Sequence, residues 1–178
     1  MIFTKKQKSM LAVCDGASAP VSEIPDEAFA LGLLGKGFSQ DPENGIFRSP
    51  VDGKIENVAK SKHAYSIHTR DDLDVLVHIG VDTVELNGEG FTPLVAEGQN
   101  VRAGDMLAKA DIGLIRSRGF NPITAILITN PDRIENVAYK FGPATAGRDA
   151  VMFYGTKKWR KEANDKHRNQ KEMGKWCI

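Results

Sequence analysis

His63, His68, His78 and His167 have the widest chemical range of any residues in this sequence. A neutral imidazole carries one donor and one acceptor nitrogen, can attack an electrophile, and can ligate a metal. Spacing selects one pair. The polar stretch Thr69-Arg70-Asp71-Asp72 lies between Ala64 to His68 and Leu73 to Gly80, which read as the arms of a β-hairpin. If the arms close symmetrically over an even loop, with His68 opposite Leu73, then His63 falls opposite His78. The two share a face, with Cβ atoms roughly 4.5–5.5 Å apart. His68 then points to the other face. An odd loop shifts the register by one residue and separates the pair.

Two facing imidazoles have three uses. One can attack phosphorus and hold a phosphoryl group covalently, while the second donates an N–H to the phosphoryl oxygens. With pKa values near ~6.5, both rings can be neutral near pH 7. The same pair could be two of the four ligands of a Zn²⁺ ion. It could also simply pack. The residues alone leave all three open. Other chemistries lack their signatures. Gly35-Lys36-Gly37 lacks the spacing of a phosphate-cradling loop, no GxGxxG follows a strand, and neither GxSxG nor HExxH occurs. Cys14 has no evident activating partner.

The elements that must position these rings are short. Phe47 to Val51 runs into Asp52-Gly53, a hairpin signal, and Lys54 to Val58 then largely alternates polar with apolar. Thr83 to Leu86 ends at Asn87-Gly88, Val101-Arg102 leads to the Ala103-Gly104-Asp105 turn, and Met106 to Ala108 follows. Ile123 to Thr129 is apolar and β-branched before Asn130-Pro131. Turn signals at this density predict an all-β fold, an antiparallel β-sandwich or barrel. Asp26 to Leu34 and Ile112 to Gly119 could each hold a short helical turn.

The chain has 178 residues, 41% hydrophobic and 26% charged, enough for one core without a metal or disulfide staple. Its two cysteines, Cys14 and Cys177, form no disulfide framework. No apolar stretch approaches the roughly 20 residues of a membrane helix, so no direct membrane span is expected, and the protein reads as cytoplasmic. Residues 156–178 carry eight Lys/Arg against three Asp/Glu, and residues 1–8 carry three Lys. The total charge is +1, so residues 9–155 are left with −7. An acidic body binds nucleic acid poorly and suits a basic protein partner. The organisation expected is an N-terminal segment 1–19, a domain 20–155 and a basic tail 156–178.

Beyond these patterns, long stretches of sequence resemble one family. They are Ser49-Pro50-Val51-Asp52-Gly53, Lys62-His63-Ala64-Tyr65-Ser66-Ile67, the run Val77 to Phe91, and Glu97-Gly98-Gln99-Asn100-Val101 with Gly104-Asp105. They resemble the glucose-type enzyme IIA component of the bacterial sugar phosphotransferase system, over about Pro20 to Met152. The resemblance implies an antiparallel β-sandwich and a phosphoryl relay. IIA takes the group from the phosphohistidine of HPr, a carrier protein, and passes it to a cysteine of the IIB domain of a sugar permease. The acceptor matches His78 and its supporting partner His63. Gly80 would let a backbone carbonyl approach His78 and fix its tautomer. Ser61, where the family usually has Thr, would orient His63 through its hydroxyl, and Asp82 would lie at the rim. Phe29, Leu76 and Val84 match the apolar docking patch, while Ala59 replaces a frequent aromatic. No cofactor is required, because the incoming group is already activated on nitrogen. Zn²⁺ at His63 and His78, completed by a partner ligand, is compatible with the family.

Three other classes compete with this reading. A lipoyl- or biotinyl-carrier domain needs a modified lysine at a tight turn, and Lys109 lacks the flanking signal. A zinc peptidase of the LytM type needs His-x-His, whereas this chain has Val77-His78-Ile79-Gly80. A regulatory IIA homologue without transfer activity is the strongest alternative, and retention of both histidines argues against it.

Overall fold

Alternation of apolar and polar residues, interrupted by glycine turns, builds a fold dominated by antiparallel strands. The computed structural model describes residues 7–157. The strands and helices, in order, begin with β1 (Lys8–Leu11), β2 (Gly16–Pro20), α1 (Glu27–Ala30), β3 (Lys36–Pro42) and β4 (Ile46–Arg48). Next come β5 (Gly53–Val58), β6 (Ala64–His68), β7 (Asp74–His78), β8 (Phe91–Pro93) and β9 (Asn100–Val101). The rest are β10 (Met106–Ala110), α2 (Ile112–Ser117), β11 (Thr124–Ile128), β12 (Ile134–Tyr139), β13 (Gly142–Ala144) and β14 (Ala150–Thr156).

The largest sheet has the order β13-β2-β3-β11-β7-β6-β5-β9; β1-β14-β12 and β4-β10-β8 form two smaller sheets. The fold is the expected all-β sandwich; the sheets do not close into a barrel. Val75 and Val77 of β7, Tyr65 and Ile67 of β6, and Phe38 of β3 face the main core. β11 is buried along its whole length because it serves two cores. Ile126 and Ile128 join the main one, while Ala125 and Leu127 join a smaller cluster with Ile24, Phe29 and Val81 on the opposite face. That second cluster is the floor on which the histidines sit.

Four local expectations change. Thr83 to Leu86 is a 3₁₀ turn, not a strand, because Asp82 and Asn87 on either side adopt left-handed backbone at φ +57° and +49°. Asp52-Gly53 does not close a hairpin: β4 pairs with β10, β5 pairs with β6 and β9, and the turn carries the chain between sheets. Residues 8–19, read above as a separate N-terminal segment, are built into the domain, since β1 pairs with β14 and β2 with β3 and β13. The β6–β7 loop is odd, pairing His68 with Asp74 and Ala64 with His78. His68 therefore shares the face of His78, contrary to the even-loop expectation. The basic tail beyond Lys157 lies outside the described residues.

Candidate active site

β7 lies between β11 and β6, and His78 is its last residue. Along β7, alternation turns Val75 and Val77 to the main core and Leu76 and His78 to the second cluster, where His78 is opposite Ala125 of β11. Beyond His78 the chain turns sharply. Gly80 has φ +79°, and a Cβ there would meet Thr83 Cγ2 at 2.4 Å, so only glycine fits. The Thr83 hydroxyl donates to the Ile79 carbonyl at 2.5 Å, and the Val81 N–H donates to the Asn121 carbonyl at 2.8 Å, which holds the turn. The Gly80 carbonyl thereby reaches His78 Nδ1 at 2.8 Å. A carbonyl can only accept, so Nδ1 carries the proton and Nε2 keeps its lone pair.

With Ala64 opposite His78, strict alternation would carry His63 away from the face of His78. The backbone prevents this before β6 begins. Lys62 adopts φ +58°, donates its N–H to the Ala59 carbonyl at 2.7 Å, and accepts from the buried Tyr65 hydroxyl at 2.9 Å. This turn frees His63 from the strand pattern and brings its ring against His78. The centroids are 4.7 Å apart and the planes cross at 81°. The two rings meet, but through a turn and not through the register expected from the sequence.

Burial makes both rings poor bases. His63 is 6% exposed, and burial, reinforced by the neighbouring His78, lowers its pKa to about 4; the Ser61 backbone partly opposes this. Its Nδ1 has no hydrogen-bond partner. Burial also lowers the pKa of His78, against the Gly80 carbonyl and the carboxylates of Asp26 and Asp82, which favour the proton. Both rings are therefore neutral at pH 7. The pair can offer a lone pair at His78 and an N–H donor at His63.

The other expected site residues fall into place unevenly. Ser61 acts on His63 through its backbone; its hydroxyl makes no hydrogen bond to the ring. Asp82 is exposed at the rim, at φ +57°. Phe29 is 7% exposed and stands edge-on to His78 at 5.2 Å, so it is a wall of the site more than an open surface. Leu76 packs half-buried on the same cluster, and Val84 is half-buried in the 3₁₀ turn.

The sequence did not single out three further residues, Asp26, Leu31 and Leu33. Asp26 caps α1 by accepting from the Phe29 N–H at 3.1 Å, and its carboxylate acts on His78. An Asp three residues before the first large apolar side chain of a short helix is a cap signal. Leu31 and Leu33 are 64% and 71% exposed just after α1. Their signal was a run of leucines, Leu31-Gly32-Leu33-Leu34-Gly35, in a glycine turn too short to bury them all. Among the described residues, no third His, Cys, Asp or Glu closes on the histidine pair at ligand distance.

The β-sandwich has counterparts among known proteins. Residues 8–134 match the family described as phosphoenolpyruvate-dependent sugar phosphotransferase system, EIIA 1, and the chain belongs to that family. It is similar to the PTS system glucose-specific EIIA component of Bacillus cereus, 40% identical over 82% of this chain and 89% of that one. Similarity to the glucose-specific EIICBA component of Streptococcus pneumoniae is also 40%, over 84% of this chain but 20% of the longer protein. The solved glucose permease IIA from Mycoplasma capricolum superposes with a TM-score of 0.80 at 34% identity, covering 86% of this chain and 99% of that one.

Proposed function

We propose that this protein is a phosphocarrier that accepts a phosphoryl group from phosphorylated HPr on His78 Nε2 and passes it to the cysteine of a IIB domain. The observation that carries this reading is the Gly80 carbonyl 2.8 Å from His78 Nδ1, with the ring centre of His63 4.7 Å from that of His78. The N–P bond to the donor histidine breaks as the Nε2 lone pair forms a new one. The site's work is to align donor and acceptor and to hold charge in transit. His63 donates an N–H to the phosphoryl oxygens. Phe29 shields one side of the acceptor ring from water, and Asp26 and Asp82 offer carboxylates to a basic partner.

The half-buried Leu76 and Val84, and the exposed Leu31 and Leu33 after α1, are the apolar side chains proposed to meet HPr and IIB in turn. The relatives named above are glucose-specific, so glucose is the sugar proposed for the permease this chain serves. Among the described residues no helix is long and apolar enough to cross a membrane. The proposed location is the cytoplasm, where HPr is met.

The test is incubation with phosphorylated HPr, then with IIB. An acid-labile, base-stable phosphate on this chain that moves to IIB supports the reading, and a chain that takes up none contradicts it. Gly80→Ala probes the geometry. A Cβ at φ +79° against the Thr83 methyl displaces the carbonyl that fixes His78, and uptake is expected to slow about 100-fold with the fold intact by circular dichroism.

A further inference from the structure

β5 contains a bulge. Ile55 pairs with Ile67 and Asn57 with Ser66, which leaves Glu56 with no partner across the ladder. A bulged residue can aim its side chain where regular pairing would not. Here the Glu56 carboxylate comes beside His68 of β6, whose cross-strand partner is Asp74 of β7. Ligand atoms of all three lie within 4.8 Å of one another. Three adjacent strands thus bring one imidazole and two carboxylates together. The place is the far end of the hairpin from His63 and His78, roughly 13 Å along β6.

We propose that Glu56, His68 and Asp74 form a binding site for a divalent transition-metal ion, with Zn²⁺ as the best fit. Imidazole nitrogen and carboxylate oxygen suit Zn²⁺ at about 2.0–2.2 Å, and three protein ligands leave a fourth position for water. The ligands are already oriented. The Asn130 amide donates to Asp74 Oδ2 at 3.1 Å while its oxygen accepts from the Asp74 N–H at 3.0 Å. This turns Asp74 Oδ1 to His68 Nδ1, 2.7 Å away. Hydrogen bonds of this kind fix a ligating carboxylate. Local charge favours a cation. Asp72 Oδ1 is 3.6 Å from His68 Nε2, so three carboxylates surround the imidazole, against Lys54 opposite His68 on β5 and Arg133, 3.4 Å from Asp72 Oδ2. The ion takes the place of the proton shared by His68 and Asp74 and ties β5, β6 and β7 together. Phosphoryl transfer is not required for any step of this inference.

Equilibrium dialysis of the full chain against Zn²⁺ tests it, using a His63→Gln, His78→Ala double variant so that the paired histidines cannot contribute. One equivalent is expected to bind, and to raise the thermal midpoint. Adding His68→Ala should weaken binding at least about 100-fold, and Asn130→Ala about 10-fold. The exposed Glu56→Gln, which leaves the fold undisturbed, should weaken it as well. With Co²⁺ as probe, paramagnetic broadening is expected on amides of residues 54–56, 66–68 and 72–74. No bound ion in the double variant, or unchanged affinity after His68→Ala or Glu56→Gln, overturns the site and leaves His68 and Asp74 as an ion pair only.

Discussion

His78→Ala is expected to take up no phosphate from phosphorylated HPr, a loss on the order of 10⁴-fold or more. The whole reaction rests on one lone pair, and His63 cannot replace it. The Nδ1 of His63 is buried without a partner, and its ring is crossed at 81° to the acceptor. His63 Nδ1 lacks the close carbonyl that Gly80 gives His78 Nδ1. The variant should remain folded, because His78 lies at a strand end over the smaller cluster and not in the main core. Scintillation counting or a phosphate-affinity gel shift after incubation with the donor reads the result. Uptake by the variant at a rate near that of the parent would remove His78 from the mechanism.

His63→Gln is expected to separate the two half-reactions. Uptake should persist within about 10-fold, since the attacking nitrogen is intact and a glutamine amide can still donate one hydrogen bond. Transfer to IIB should fall by about 10²–10³, a cost of the size that lost stabilisation of a developing anion carries. The difference arises from charge. An attacking thiolate brings a negative charge to the phosphoryl group, and imidazole can shift towards imidazolium in response, whereas an amide cannot. Single-turnover rates for uptake and for release, measured separately, check this.

Acidification should reveal the environment of the pair. An ordinary histidine is half protonated at its pKa of 6.5, but burial holds His63 at about 4 and lowers His78 too. Uptake should therefore begin to fall only at a lower pH than the titration of an ordinary histidine would set. Stability behaves differently. Between pH 6.5 and about 4 the unfolded chain binds a proton at His63 that the folded chain refuses, so stability falls as pH is lowered through that window. Denaturant midpoints should show a smaller decline in His63→Gln than in the parent.

Strand positions were readable wherever apolar residues alternated between glycine turns. Ala64 to His68 is β6 as expected, and Lys54 to Val58 lies within β5. The register of β6 on β7 was not readable. A loop one residue longer than assumed inverts every pairing, and nothing in Thr69 to Leu73 announces whether it is odd or even. The histidines meet nonetheless, because Lys62 takes a left-handed conformation that no alternation rule foresees. Thr83 to Leu86 has a strand's alternation and a turn's geometry for the same kind of reason: Asp82 and Asn87 are left-handed on both sides. Gly80 was legible as a point of close approach, since a histidine followed two residues on by glycine permits a carbonyl to fold back. The open leucines after α1 were less so, because exposure depends on what the rest of the chain leaves uncovered.

The most direct test is to locate the phosphate. Nitrogen-15 and phosphorus-31 NMR of the phosphorylated, ¹⁵N-histidine-labelled protein reads which ring nitrogen is coupled to phosphorus. The geometry predicts a single coupled nitrogen, Nε2 of His78, with its Nδ1 proton still held by the Gly80 carbonyl. Coupling to Nδ1 of His78, or to either nitrogen of His63, would contradict the account.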